Sequence, residues 1–180
     1  MHPYAEPHGL IMKLHREPLS QISDASLTRD RECWNKCVAE LLGDWLHDET
    51  SVEEICKFAE KVYRRGDSAG FKGDADYVRN RETQKGLSKL RSSIAGLYAW
   101  REQHAKSLDE RSRMMSAVEY ASRQAFVLCP SSPEPHFRYV NTLLAQKKID
   151  DARLVTETCW HLNPEDAGVC DLRDRLRQFK

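Results

Sequence analysis

From residue 23 onward apolar side chains recur at spacings of three and four, the period that places one face of a helix in a core. Leu27, Trp34, Val38, Leu41 and Trp45 form one such stripe, which ends near Gly43 to His47. Ser51-Val52-Glu53-Glu54 then reads as a capping box, in which the Ser hydroxyl and the Glu carboxylate satisfy backbone donors that a first turn leaves free. The helix it starts carries Val52, Ile55, Cys56, Ala59, Val62 and Tyr63 inward and stops at Arg65-Gly66. The pattern over 19–66 predicts two antiparallel helices joined by a short turn. Residues 67–82 form a loop, with Asp67 to Asp74 rich in breakers and Phe71 pinning it onto the hairpin.

Further on, the spacing predicts a long helix from Thr83 to His104, with Leu87, Leu90, Ile94, Leu97, Tyr98 and Arg101 on one side. Gly86, Ala95, Gly96 and Ala99 punctuate it with small residues that let another helix pass close by. A helix from Asp109 to Leu128 packs back on it through Met115, Val118, Ala121, Ala125 and Leu128. Glu134 to Gln146 follows, with Phe137, Val140, Leu143 and Leu144 apolar, and Ile149-Asp150-Asp151-Ala152 opens its successor. After Pro164, Val169, Leu172, Leu176 and Phe179 make a last stripe on a helix that is otherwise charged.

Residues 1–18 differ. Pro3, Pro7, Gly9 and Pro18 forbid a continuous helix, while Leu10-Ile11-Met12-Lys13-Leu14 reads as a short strand. No second strand signal of similar quality follows. The segment is expected either to run as an extended arm along the helices or to join a sheet in another chain or in preceding sequence, so that the N-terminus is the cut edge of a larger protein.

One internal repeat stands out. Ala125-Phe126-Val127-Leu128-Cys129-Pro130 recurs as Cys159-Trp160-His161-Leu162-Asn163-Pro164, with the prolines 34 residues apart. On that period, on the small residues Ala152 and Cys159 and on the prolines, residues 83–180 resemble a tetratricopeptide repeat, whose helix-turn-helix units stack to bury their apolar faces. The resemblance implies an all-α chain of antiparallel hairpins in a short right-handed solenoid, closed by a capping helix. His136, Val140 and Leu143 depart from the family's pattern, and the first repeat is stretched. In that family the first helix of each repeat lines a concave face, and the positions that touch ligand correspond to Glu134, Phe137, Asn141 and Leu144. Lys89 and Arg101 on the preceding helix are candidates for the same groove.

Charge changes this picture only locally. The 28 basic and 28 acidic residues cancel, so net charge gives no reason to invoke nucleic acid or a membrane surface. Residues 19–56 nevertheless hold nine acidic and three basic side chains, and 57–101 eleven basic and five acidic. Mutual attraction of the two segments is the simpler account; RNA binding through 57–101 is the alternative. No apolar run is long enough to span a bilayer. Met1-His2-Pro3-Tyr4 does not open a signal peptide. Six cysteines occur without a C-x-x-C pair, which favours thiols acting as small buried hydrophobes in a reducing compartment.

A second resemblance rests on Pro7-His8-Gly9-Leu10-Ile11, Gly43-Asp44-Trp45-Leu46, Phe71-Lys72-Gly73-Asp74, Lys89 to Gly96 and Phe137-Arg138-Tyr139-Val140. Over nearly its whole length the chain is similar to the soluble C-terminal region of large bacterial multi-pass membrane proteins of the protein O-mannosyltransferase kind. That resemblance implies an accessory domain of a membrane-bound glycosyltransferase, lying outside the cytoplasm, and carries over no catalytic residue.

The residues themselves show no catalytic or cofactor motif. There is no H-E-x-x-H, no G-x-S-x-G, and the glycines of 70–73 lack the spacing of a P-loop. Asp150-Asp151, Glu53-Glu54 and Glu165-Asp166 sit at helix starts, where carboxylates favour the positive end of the dipole. The sequence therefore points to a non-enzymatic docking module for a protein or peptide, without cofactor, metal or nucleic acid. If Ala152 marks a close helix crossing, Ala152→Leu lowers stability by about 1–3 kcal/mol. Chemical denaturation is the check, and an unchanged midpoint would contradict the crossing.

Overall fold

The computed structural model describes residues 1–178 and is mostly helical, with one small sheet of two strands. The sheet answers the question left open at the N-terminus. Ala5–His8 (β1) pairs antiparallel with Ile11–Leu14 (β2), in the register Ala5↔Leu14 to His8↔Ile11. The segment is thus a hairpin rather than an extended arm, and its missing partner is the stretch just upstream. Pro7 is tolerated because a two-stranded ribbon consists only of edges, and Gly9 takes the positive φ of 63° that the two-residue turn demands.

The first five α-helices each begin where a side chain caps them. Ser23 accepts from the Ser26 amide at the start of α1 (Asp24–Leu42), and the capping box of Ser51 and Glu54 opens α2 (Val52–Phe58) as expected. α2 continues into a π-helical turn over Ala59–Arg64. There the Tyr63 hydroxyl donates to the carbonyls of Val127 and Leu128. Asp74 caps a short α3 (Ala75–Arg79) inside what reads as loop. Asn80 caps α4 (Arg81–Gln103), and Ser107 caps α5 (Leu108–Leu128). α6 (Pro133–Ala145) starts on a proline. It ends in a Schellman turn, with the Lys148 amide donating to Leu143 and that of Lys147 to Leu144. Lys147 holds φ 62° there, in place of the usual glycine. α7 (Ile149–Leu162) and α8 (Ala167–Gln178) complete the chain. The last apolar residue of the predicted stripe, Phe179, lies outside the described residues.

α4 and α5 pack along their length as an antiparallel pair, α6 packs on both, and α7 and α8 follow in sequence. The N-terminal half does not form the hairpin predicted over 19–66. α2 and its π-helical turn pack on α7, while α1 lies against α5 and the β-hairpin. Three arginines fasten this arrangement. Arg123 of α5 donates to the carbonyls of His47, Asp48 and Thr50, holding the α1–α2 connection. Arg101 of α4 donates to the carbonyls of Leu19, Pro3 and His2, holding the N-terminal segment.

The third, Arg91 of α4, is 1% exposed and pairs with Asp30 of α1 at 2.7 Å. The same carboxylate oxygen accepts from the Tyr98 hydroxyl at 2.7 Å. Arg91 also donates from Nε to Gln124 of α5 at 2.8 Å, and its guanidinium lies 5.1 Å from the Trp34 ring centre. The acidic and basic segments of the sequence therefore meet in the core, at one desolvated pair. Breaking such a pair leaves a buried charge uncompensated, whereas replacing both members by apolar groups of similar size does not. Arg91→Met is accordingly expected to cost about 3–5 kcal/mol. The double variant Asp30→Leu/Arg91→Met should recover most of that loss, both being measured by urea unfolding.

Candidate functional site

A groove of about 880 Å³ lies between the C-terminal end of α4, the N-terminal half of α5 and α6. Helix phase decides which side chains reach it. On α6, Glu134, Phe137, Arg138, Asn141, Thr142 and Ala145 fall within one face at spacings of three and four, and all line the groove. Three of the four positions anticipated on this helix, Glu134, Phe137 and Asn141, are thus brought together. Leu144 lies about a quarter-turn from the centre of that face and packs half-buried against the core.

The two candidates on α4 go elsewhere. Ala99, Glu102 and Gln103 form the α4 wall of the groove. Arg101, offset from Ala99 by two residues, projects to the opposite side, where it is 4% exposed and holds the N-terminal carbonyls. Lys89 is exposed further back along α4 and does not line the groove. Within the basic segment 57–101, Arg91 is committed to the buried Asp30 and Arg101 to backbone carbonyls of the N-terminal segment.

The floor is apolar. Phe137, Ala99, Ala145, Val118 and Met115 supply it, and Met115, which the spacing places inward, is 45% exposed in the groove instead. Arg138 builds the wall shared with α4: its Nε donates to the Ser92 hydroxyl at 3.0 Å and its guanidinium lies on Gly96. A Cβ at Gly96 would stand 3.1 Å from Arg138 Nη1. The glycine that reads as a helix crossing is therefore a seat for one side chain. At the open end, Arg111 pairs with Glu102 at 2.7 Å. Glu134 and Asn141 are exposed and make no side-chain hydrogen bond or ion pair among the described residues. Arg138, Glu102, Arg111 and Met115 escaped the sequence reading; the i, i+4 relation of Glu134 to Arg138 was the available signal for the first of them.

Behind Phe137 the packing of α6 on α7 rests on His136, which is fully buried. Thr156 spends its hydroxyl proton on the Ala152 carbonyl, so His136 Nε2, 3.2 Å from Thr156 Oγ1, must be the donor in that contact. Nδ1 is then an unprotonated, buried acceptor without a partner among the described residues. Desolvation lowers the imidazole pKa to about 4. Burial likewise pushes the thiols of Cys56 and Cys159 up to about 12, so both stay protonated and behave as small apolar groups. Among the described residues no group of three or more His, Cys, Asp or Glu is arranged to hold a metal ion, and no helix is long and apolar enough to cross a membrane.

The chain matches no protein-family model, and no curated protein or solved structure is significantly similar to it.

The neutral His136 gives a pH dependence whose sign is fixed. An imidazole that ionises near its ordinary value of 6.5 when unfolded and near 4 when folded binds more protons in the unfolded chain. Its contribution is fully present above pH 6.5 and is lost as pH falls from there towards 4. Unfolding free energy measured across that window should fall with pH, and His136→Gln should flatten the slope.

Proposed function

We propose that the chain is a docking module of tetratricopeptide type whose groove between α4, α5 and α6 takes an apolar peptide segment of another protein. The observation that carries this reading is the pairing of an apolar floor with unsatisfied polar groups along one wall. Asn141 presents an amide without a partner among the described residues, an NH2 donor group beside an acceptor oxygen, which can serve both the C=O and the N–H of an extended peptide backbone. Phe137 and Met115 offer the apolar surface on which a Leu, Met or aromatic anchor of the peptide would rest. Glu134, without a cationic partner, favours a Lys or Arg next to that anchor, whereas Glu102 is already neutralised by Arg111.

The repeat reading is supported by the order of α4 to α8 along the chain and by the close packing of α6 on α7 at Ala152 and Cys159, both fully buried. The groove lies where adjacent first helices, α4 and α6, would face a ligand in such a stack.

Selection from a random peptide library against the full chain tests the proposal. Enriched peptides should share an apolar anchor with a neighbouring basic residue. Asn141→Ala and Met115→Lys, both at exposed positions, should each weaken their binding by about tenfold while leaving the melting midpoint within a degree or so. Peptides that bind both variants as well as the parent chain, or no enrichment at all, would reject the reading.

A further inference from the structure

A second cavity, of about 340 Å³, opens between α1, α4 and α5 and shares no lining residue with the groove. Its floor is the buried polar cluster of Asp30, Arg91 and Tyr98, and its rim carries Arg31 of α1 and Arg113 of α5. We propose that this cavity binds a small hydroxy acid, its hydroxyl donating to Asp30 and its anionic group held by Arg31 and Arg113.

Floor and rim make complementary demands. Asp30 is 2% exposed, and both contacts to its carboxylate, from Arg91 and Tyr98, fall on Oδ2. Oδ1 is buried without a partner among the described residues, in a side chain that lines the cavity. A buried carboxylate oxygen calls for a donor. Burial, with the Asp30 carboxylate beside it, pushes the Tyr98 phenol up, so Tyr98 holds its proton and remains committed to Oδ2. The donor that serves Oδ1 must come from elsewhere.

At the rim the need is opposite. Arg31 stacks on the Tyr120 ring at 4.4 Å and pairs with Asp48, and Arg113 pairs with Asp24. Both partner carboxylates are well exposed, at 54% and 81% of their side-chain surface, and such pairs are readily exchanged for another anion. Arg31, Arg91 and Arg113 line the cavity with Asp30 as the one lining carboxylate, so an anion that displaces the exposed Asp48 and Asp24 finds two guanidinium groups to hold it. That balance favours an anion and, since Arg91 already compensates Asp30, a neutral hydroxyl rather than an ammonium as the donor. The volume sits at the low end of small-molecule sites. The shared chemistry is an acid group with a hydroxyl a few bonds away, the acid being either a carboxylate or a phosphate monoester.

Titration calorimetry on the full chain distinguishes the two acids, with glycerate and glycerol phosphate as probes and propionate and propyl phosphate as their hydroxyl-free counterparts. One hydroxy acid should bind saturably and raise the melting midpoint, with its counterpart at least tenfold weaker because Oδ1 is left unserved. Arg113→Gln, a partly exposed rim position, should weaken the same ligand tenfold or more without lowering the midpoint of the unliganded chain. The proposal is overturned if neither acid binds at about 10 mM, if the hydroxyl-free counterparts bind equally well, if Arg113→Gln leaves affinity unchanged, or if serine binds more tightly than glycerate.

Discussion

The ion pair of Arg91 and Asp30 is the constraint around which the helices are arranged. Each charge loses its hydration, and the loss is offset only while both are paired and the remaining donors find acceptors in fixed places. Gln124 and the Trp34 face meet that condition for Arg91, and Tyr98 meets part of it for Asp30. The cluster thereby specifies where α1 lies on the α4–α5 pair: a shift of one turn would separate Asp30 from Arg91 and leave two buried charges unmatched. An apolar core tolerates small slips, whereas a network of this kind does not. The partner oxygen left over on Asp30 follows from the same geometry, since both of its neighbours reach the carboxylate from one side.

α1 lies against α5 and the β-hairpin, while α2 covers α7. Arg123 ties down the connection between α1 and α2, and Arg101 the segment ahead of α1, each by donating to several backbone carbonyls. A guanidinium suits this task because its donors fan out in a plane. The N-terminal half thus wraps one side of the α4–α5 pair and leaves the other side, toward α6, open. The groove is the uncovered remainder of that surface, and the smaller cavity is the seam where α1 does not close fully on α4 and α5.

The longer helices were readable from the sequence because their apolar period is local; Ser51 with Glu54 and the stripe of α4 needed no tertiary information, whereas the five-residue α3 is too short to show a period. Pairing was not readable in the same way. α2 packs on α7, and α1 is tied to α4 through Arg91 and Asp30, 61 positions apart; neither relation is carried by the period of a single helix. β1 was hidden because Pro7 and Gly9 look like breakers, although a two-stranded ribbon accepts both. At the groove, Glu134, Phe137 and Asn141 share one face of α6 because the spacing along a single helix fixes their mutual phase. Arg101 was misplaced because its phase relative to α6 depends on the rotation of α4, which is set by Arg91 and Tyr98 on its buried side.

Gly96 shows how the two sites are held apart. Ile94, Leu97, Tyr98 and Arg101 mark the buried faces of α4, while Ser92 and Gly96 face α6 and receive Arg138. The guanidinium lies flat against the helix only because no Cβ intervenes, and in doing so it closes the upper wall of the groove. On the neighbouring face, one or two residues away, Arg91 and Tyr98 build the floor of the hydroxy-acid cavity. A single helix thus carries two arginine-based walls of unlike character. Arg91 is desolvated and fully compensated, so it defines position, whereas Arg138, half-buried and bonded through one nitrogen, keeps donors available at the edge of an apolar surface. That difference in solvation, rather than in residue type, separates an arginine that fixes helix position from one whose remaining donors stay at a groove edge.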